Sequence, residues 1–270
     1  MTERPKHPKR PGRPKYPKRP ERRPEAPPDP HAPRLVLGLQ PVREAIRVHG
    51  ERLGRVLVES KPSPRLDALA RFAADRGASV ERASRSQLDR LAQGTRHQGA
   101  AAWAPELPVA GVEALEIGDD TLLVVLDGIT DPHNFGATLR CAVALGATGV
   151  LWGEHHAAPL TPATFRASAG AVEHARLHQV PSLHGALERL GAQGVATVAL
   201  DASADTLLSE VPLTGPAAVV IGAEDTGVAR AVRRACQHRA KLPMTGPLDS
   251  LNASVAAGMA LYEVVRQRDD

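Results

Sequence analysis

The chain has 270 residues, enough for two modest domains with a core each. Aromatics are only 3% of it, so Ala, Val and Leu must build those cores, and no apolar run approaches the ~18 residues of a membrane span. The net charge of +4 hides an uneven distribution: residues 1–33 hold ten Lys/Arg against four acids, a net of +6, which leaves −2 for the body of the chain.

The first 33 residues also hold eleven prolines. Proline fixes φ and removes a backbone donor, and the segment has almost nothing apolar to bury, so it reads as a disordered arm leaning toward polyproline II. Such an arm either neutralises RNA phosphates in a sequence-blind way or merely solubilises the chain. No apolar stretch follows its basic residues, so it is not a secretory signal. Cys141 and Cys236 are the only cysteines and lie far apart, which predicts no disulfide framework and a reducing, cytoplasmic setting.

Order is predicted from about Leu35. A short helix is expected over Pro41–Val48 and a strand over Arg55–Glu59. A helix over Arg65–Arg76 carries Leu66, Leu69, Ala70 and Ala73 on one face. Ser84-Arg-Ser-Gln87 is a capping box that opens another helix, and residues 99–103 close the unit as a strand. Residues 34–103 thus form a small α/β domain. Residues 104–120 contain prolines and acids without periodicity and read as a linker. From 121 to 270 a second α/β domain is expected, with strands at Leu122–Leu126, Gly149–Trp152, Leu177–Val180, Val195–Leu200 and Ala217–Ile221. Helical patterns separate them, as in a mostly parallel sheet covered on both faces. A final helix is expected from near Asn252 to about Arg266.

Three clusters in this second domain can carry chemistry. The first is Leu126-Asp-Gly-Ile-Thr-Asp-Pro-His-Asn-Phe-Gly-Ala-Thr-Leu-Arg140, where a buried strand ends, a polar turn follows and a helix begins near Asn134. Ligands of open α/β sheets bind beyond the carboxyl ends of strands. Asn134 is placed to cap the helix, and Arg140 is either a functional cation or an ordinary exposed charge. The second is Val219-Val-Ile-Gly-Ala-Glu-Asp-Thr-Gly227, a strand running into Gly222, where the backbone can approach a ligand, and then Glu224. Alone it also fits an ordinary strand-turn-helix junction. It lacks the G-x-G-x-x-G of a dinucleotide site, which counts against a nicotinamide enzyme. The third is Lys241-Leu-Pro-Met-Thr-Gly-Pro-Leu-Asp-Ser-Leu-Asn-Ala-Ser-Val255, a short strand, a Pro/Gly-rich loop, and then Ser250 and Asn252 as candidate caps of the last helix. Glu154-His155-His156 is not H-E-x-x-H and Asp131-Pro-His133 has no matching ligand set, so no metal site is predicted.

Taken together, in order and spacing, "LDGITDPHNFGATLR", "VVIGAEDTG" and "LPMTGPLDSLNASVAAGMALYE" resemble the SpoU/TrmH family of the SPOUT superfamily. Its members are RNA 2′-O-ribose methyltransferases, and the likeness is greatest to bacterial enzymes that modify a guanosine of 23S rRNA. "LVLGLQPVREAI" and "HQGAAAW" (His97, Gln98, Gly99) extend it to the small domain, so that it covers roughly residues 35–268. The resemblance implies a trefoil-knotted methyltransferase domain preceded by a ribosomal protein L30e-like substrate-binding domain. It implies S-adenosylmethionine as cofactor, held largely through backbone at Gly222, Leu242 and Leu251. It implies a reaction centre lined by Asn134, Arg140, Glu224, Ser250, Asn252 and Ser254. It further implies RNA as partner and a homodimer in which Arg140 of one chain approaches the site of the other. Asp225, Thr226, Pro247 and Ala253 depart from the commoner family residues, which bears on loop geometry and substrate choice. A tRNA ribose methyltransferase and a non-catalytic RNA-binding assembly factor are the alternatives, and intact motif residues count against the second.

Overall fold

A computed structural model describes residues 34–155, 157–158, 160–248 and 250–269. The proline-rich arm, residues 1–33, lies outside the described residues, as do His156 and Asp249 of the motifs above.

The small domain runs β1 (Arg34–Leu37), α1 (Leu39–His49), β2 (Arg55–Glu59), α2 (Pro64–Asp75), β3 (Ser79–Ala83), α3 (Arg85–Ala92) and β4 (Ala100–Ala104). Its four strands lie in the order β1-β4-β2-β3. β4 is antiparallel to both neighbours, whereas β2 and β3 are parallel. Strand alternation splits the core. Val36, Val56, Val58, Ala100 and Ala102 face α1 and α2, while Leu37, Leu57, Ala83 and Ala101 face α3. The alanine-rich centre strand lets helices approach from both sides. At Ser84 the capping box forms in full: the hydroxyl accepts from the Gln87 amide and the Gln87 side chain accepts from the Ser84 amide.

The connection that follows is not loose. β5 (Val109–Ala110) joins the edge of the second sheet beside a strand at Leu177–Val180, and Leu115 and Ile117 pack on that sheet's core. The second domain continues with β6 (Leu122–Asp127), α4 (Pro132–Ala144), β7 (Gly149–Gly153), α5 (Pro162–Ala167), β8 (Leu177–Val180), α6 (Leu183–Ala192), β9 (Ala196–Leu200), β10 (Ala217–Gly222), α7 (Arg230–Ala235), β11 (His238–Ala240) and α8 (Ala253–Asp269). The strand order is β11-β9-β10-β6-β7-β8-β5, with every neighbouring pair parallel. Central β6 is buried on both faces. Leu122, Val124 and Leu126 join the layer that contains α4 and α8, and Leu123 and Val125 join the layer that contains α6 and α7. Phe135 of α4 meets Trp152 of β7 edge to face, ring centroids 5.4 Å apart.

Two sequence expectations need correction here. Asn134 does not cap α4. The helix starts at Pro132, and the Asp131 carboxylate caps it by accepting from the His133 amide at 3.0 Å. An Asp-Pro pair supplies both a cap and a residue whose fixed φ suits the first helical position, and it outcompetes an asparagine two residues later. The short strand expected at Lys241 lies one step earlier, at His238–Ala240, and Lys241 only bridges to Leu207.

A buried ionic contact joins the two domains. Arg34 of β1 makes a two-pronged pair with Glu173, which also accepts from His49 at 2.9 Å. Glu44 of α1 reaches His174 at 2.9 Å, and the Arg34 guanidinium lies over the Phe165 ring.

Candidate active site

β10 and β6 run parallel and in register, so Gly222 stands beside Asp127 and both strands deliver their following turns to one place. β9, on the other side of β10, ends there too, at Leu200 and Asp201. α8 packs on α4 and β10 and brings residues 250–254 to the same rim. The three motif loops, separated by up to 118 positions, are thereby gathered at the carboxyl edge of the sheet.

A cavity of about 330 Å³ opens at this edge, inside the ~300–1,000 Å³ range of small-molecule sites. Its walls are apolar at Ile221, Val228, Leu242, Met244 and Leu251, and its carboxylates come from Asp201, Glu224 and Asp225. Gly222 shapes the floor. A Cβ there would lie 2.0 Å from the carbonyl carbon of Gly227 and 2.2 Å from the Val228 amide nitrogen, so the turn can fold back over the strand end only if the residue is glycine.

Glu224 ties the rim together. Its Oε1 accepts from Asn134 Nδ2 at 2.9 Å, from Asn252 Nδ2, and from the Ala253 amide at 3.2 Å. Asn252 Nδ2 also donates to Asn134 Oδ1 at 2.8 Å, closing a triangle across the three loops. The Asn252 Oδ1 caps α8, accepting from the Ser254 and Val255 amides and from the Ser254 hydroxyl at 2.6 Å. Thus Glu224 and Ser250, with Gly222, Leu242 and Leu251, line the cavity directly. Asn134, Asn252 and Ser254 stand one hydrogen bond behind Glu224 or behind each other. Arg140 is not brought to the cavity of its own chain. It lies six residues beyond Asn134, roughly 9 Å along α4 at the helical rise, and its side chain is exposed.

The sequence reading overlooked Asp201, and it gave Lys241 no role beyond opening the third cluster; both line the cavity. The signal for Asp201 was present, since it directly follows a buried strand at the ligand-binding edge. Partial burial alone would raise its carboxyl, but the Ser203 hydroxyl and amide, Arg233 at 2.8 Å and Arg239 at 2.8 Å overcome this and hold it at about 2. Under the turn that covers Gly222, burial pushes the Asp127 carboxyl up although it accepts from the Ala229 amide. Burial, aided by the Asp127 charge, pushes the Cys236 thiol up to about 12. Among the described residues no three His, Cys, Asp or Glu side chains converge as a metal-ligand set, and no helix is long and apolar enough to cross a membrane.

Comparison with known proteins covers nearly all of the described residues. Residues 121–262 match the model of the SpoU rRNA Methylase family, and residues 35–109 match the model for RNA 2′-O ribose methyltransferase substrate binding. The 23S rRNA (guanosine-2′-O-)-methyltransferase RlmB of Pseudomonas putida is 38% identical over 239 residues, 86% of this chain and 96% of that protein. An uncharacterized tRNA/rRNA methyltransferase of Mycobacterium sp. (strain KMS) is 38% identical over 87% of this chain and 76% of its own length. Among solved structures, the SpoU methyltransferase AviRb from Streptomyces viridochromogenes in complex with AdoMet superposes with a TM-score of 0.71 at 29% identity, covering 87% of this chain and 90% of that one.

Proposed function

Because the chain belongs to the SpoU rRNA methylase family, we propose that it transfers a methyl group from S-adenosylmethionine to the ribose 2′-hydroxyl of a guanosine of 23S rRNA. The observation that carries this reading is the Asn134–Glu224–Asn252 triangle at the rim of the Gly222 cavity, which joins all three family motifs in one site.

The cavity suits the cofactor chemically. Apolar walls at Ile221, Leu242 and Leu251 match an adenine, and backbone exposed around Gly222 offers donors and acceptors to its edge. The carboxylates of Glu224 and Asp225 match a ligand that carries a sulfonium and an ammonium, Asp201 being paired already with Arg233 and Arg239. When bound, S-adenosylmethionine supplies a methyl group already activated for in-line displacement, so the protein has to position and polarise.

The weak nucleophile is the ribose hydroxyl. Arg140 serves as a fixed positive charge that holds a neighbouring phosphate or the hydroxyl oxygen and stabilises developing alkoxide. The proton leaves to phosphate or water. Asn134 and Asn252, held by Glu224, orient the ribose, and Ser250 and Ser254 complete the polar rim.

Arg140 reaches a cavity in this reading only from a second copy of the chain, and α8 carries a surface that supports pairing. Val255, Met259 and Tyr262 recur at i, i+4 and i+7 along one exposed stripe, Tyr262 being 60% exposed. Leu248, 70% exposed, and Met244 are further exposed apolar side chains in the preceding loop. The reading carries with it a homodimer, the family's knotted C-terminal path and action in the cytoplasm, where ribosomal RNA is at hand.

The direct test incubates the full chain with labelled S-adenosylmethionine and unmodified ribosomal RNA or tRNA, and maps label by mass spectrometry of digested fragments. One 2′-O-methylguanosine in the large-subunit RNA is expected. Label confined to tRNA keeps the chemistry and moves the substrate. Cofactor binding without label on either RNA moves the substrate to another RNA or an assembly intermediate, and failure of the folded protein to bind the cofactor makes the non-catalytic RNA-binding factor the leading reading.

A further inference from the structure

Methyl transfer leaves one acid of the first cluster without a task. Asp127 ends β6 and stands outside the cavity lining, yet it is half-buried at the end of an otherwise apolar strand. Taking a carboxylate partly out of water is costly unless something stabilises its charge. Among the described residues its hydrogen-bond partner is the Ala229 amide, which donates to Oδ2 at 2.6 Å. A carboxylate that accepts from a backbone amide makes a charge-assisted bond, stronger than a neutral one.

Ala229 matters because of where it stands. Every residue from 222 to 228 lines the cavity, and Ala229 is the next one. The turn leaves β10 at Gly222, closes on itself where the Gly227 amide donates to the Ala223 carbonyl at 2.8 Å, and hands over to α7 at Ala229. Glu224 to Gly227 are exposed, so apolar packing does not hold that stretch down. Its leading part is tied to the first cluster through Glu224 and Asn134. Its trailing end is tied to the same cluster through Ala229 and Asp127. Val228 pegs that end into the core by its side chain, whereas the Asp127 bond fixes the backbone itself. Asp127 and Gly222 are neighbours in the β6–β10 register, so this second tie runs from beside the cradle to the far end of the turn that covers it.

We propose that Asp127 is a positioning residue for the cofactor: by holding the Ala229 amide, its carboxylate keeps the 223–228 turn closed over Gly222 and so sets the wall against which S-adenosylmethionine lies. The proposal rests on the reading of this cavity as the S-adenosylmethionine site.

The test uses the full chain. Asp127→Ala removes the acceptor, and Asp127→Asn keeps an acceptor oxygen of the same reach. Ala229→Pro removes the donor at a residue whose φ of −55 suits proline. Hydrogen exchange of the Gly227 amide reads the turn, while calorimetry and methylation kinetics read the consequence. In Asp127→Ala and Ala229→Pro that amide is expected to exchange faster while the β10 amides keep parental rates. Kd and KM for S-adenosylmethionine should rise at least about tenfold, the effect of losing a hydrogen bond to a charged group. The defect is a split one, with kcat at saturating cofactor within about twofold of the parent and KM for RNA unchanged. Asp127→Asn should rescue cofactor affinity to within about threefold, since it loses the charge but not the bond. The double variant Asp127→Ala/Ala229→Pro should be no worse than either single one, because both remove the same bond. Should Asp127→Ala fold poorly, Ala229→Pro carries the same expectation from the other side of that bond. Parental exchange at Gly227 in folded variants overturns the proposal. So do additive losses in the double variant, and so does a lowered Tm with parental cofactor affinity, which would make Asp127 purely structural. A parent that binds no S-adenosylmethionine overturns the reading of the cavity instead, and faster exchange confined to the turn would then still support the Asp127 anchor.

Discussion

At Gly222 a single added carbon has nowhere to go, because what it would meet is the backbone of Gly227 and Val228 rather than a side-chain tip. Gly222→Ala must push the 223–228 turn off the strand end. The expected cost is ~1–3 kcal/mol for overpacking, together with loss of cofactor affinity in a calorimetric titration. Parental affinity would mean the turn does not form the cradle. Asp201 makes a different prediction. Its folded value of about 2 lies below the ordinary 3.8, so folding favours the charged form. Its contribution is complete above about pH 4 and is lost as pH falls toward 2. The urea midpoint of Asp201→Asn should lie below that of the parent near neutrality, and the gap should close on acidification through this window. A gap that widens in acid would reverse the assignment. Sequence alone marked Gly222 and Glu224 as candidates, because a strand ending in glycine and then a carboxylate is a local pattern. Asp201 was missed because its importance comes from Arg233 and Arg239, more than thirty positions away.

Elements were legible where they bury two faces or carry their own punctuation. The β2 and β8 boundaries match the apolar runs residue for residue, and the Ser84 box predicted both a helix and its hydrogen bonds. β5 was illegible because two residues become a strand only when an edge partner, here β8, supplies the ladder. The start of α4 was misplaced because Asp131-Pro132 and Asn134 compete as starts, and only the completed helix shows which won. The contact between Arg34, on the first strand, and Glu173, in the short turn before β8, also lies beyond local pattern. Both side chains are nearly inaccessible. Removing the charge from Glu173 leaves a buried guanidinium unpaired, which typically costs ~3–5 kcal/mol. Glu173→Gln is therefore expected to lower the thermal midpoint strongly, and a midpoint within experimental scatter of the parent would show that the domains are not joined there.

For the whole molecule, the proposed function has Arg140, exposed on α4, act on a cavity built from β9, β10 and α8 of a second copy. A shared site makes a sharp prediction. Arg140→Ala and Gly222→Ala subunits should each be nearly inactive, since one lacks a preorganised charge that typically contributes ~10²–10³ in rate and the other lacks the cradle. Mixed and reannealed, they should recover activity, because a heterodimer contains one intact cavity facing one intact Arg140. Failure to recover in verified heterodimers would place Arg140 with its own chain's cavity. Charge placed on the α8 stripe, as in Tyr262→Glu, should shift the sedimentation coefficient to that of a monomer and abolish turnover with it.

The sequence by itself determined that the body of the chain is two α/β units, that the second is a parallel sheet, and which three loops hold polar residues at strand ends or a helix start. These are properties of residues within a few positions of each other: apolar runs, turn residues and caps. Only the tertiary structure decided that β10 lies between β6 and β9, and hence that Glu224 meets Asn134 and Asn252. It also decided that Asp201 belongs to the same cavity and that Arg140 does not. Strand order and helix docking depend on how distant apolar faces fit together, and no local pattern encodes that fit.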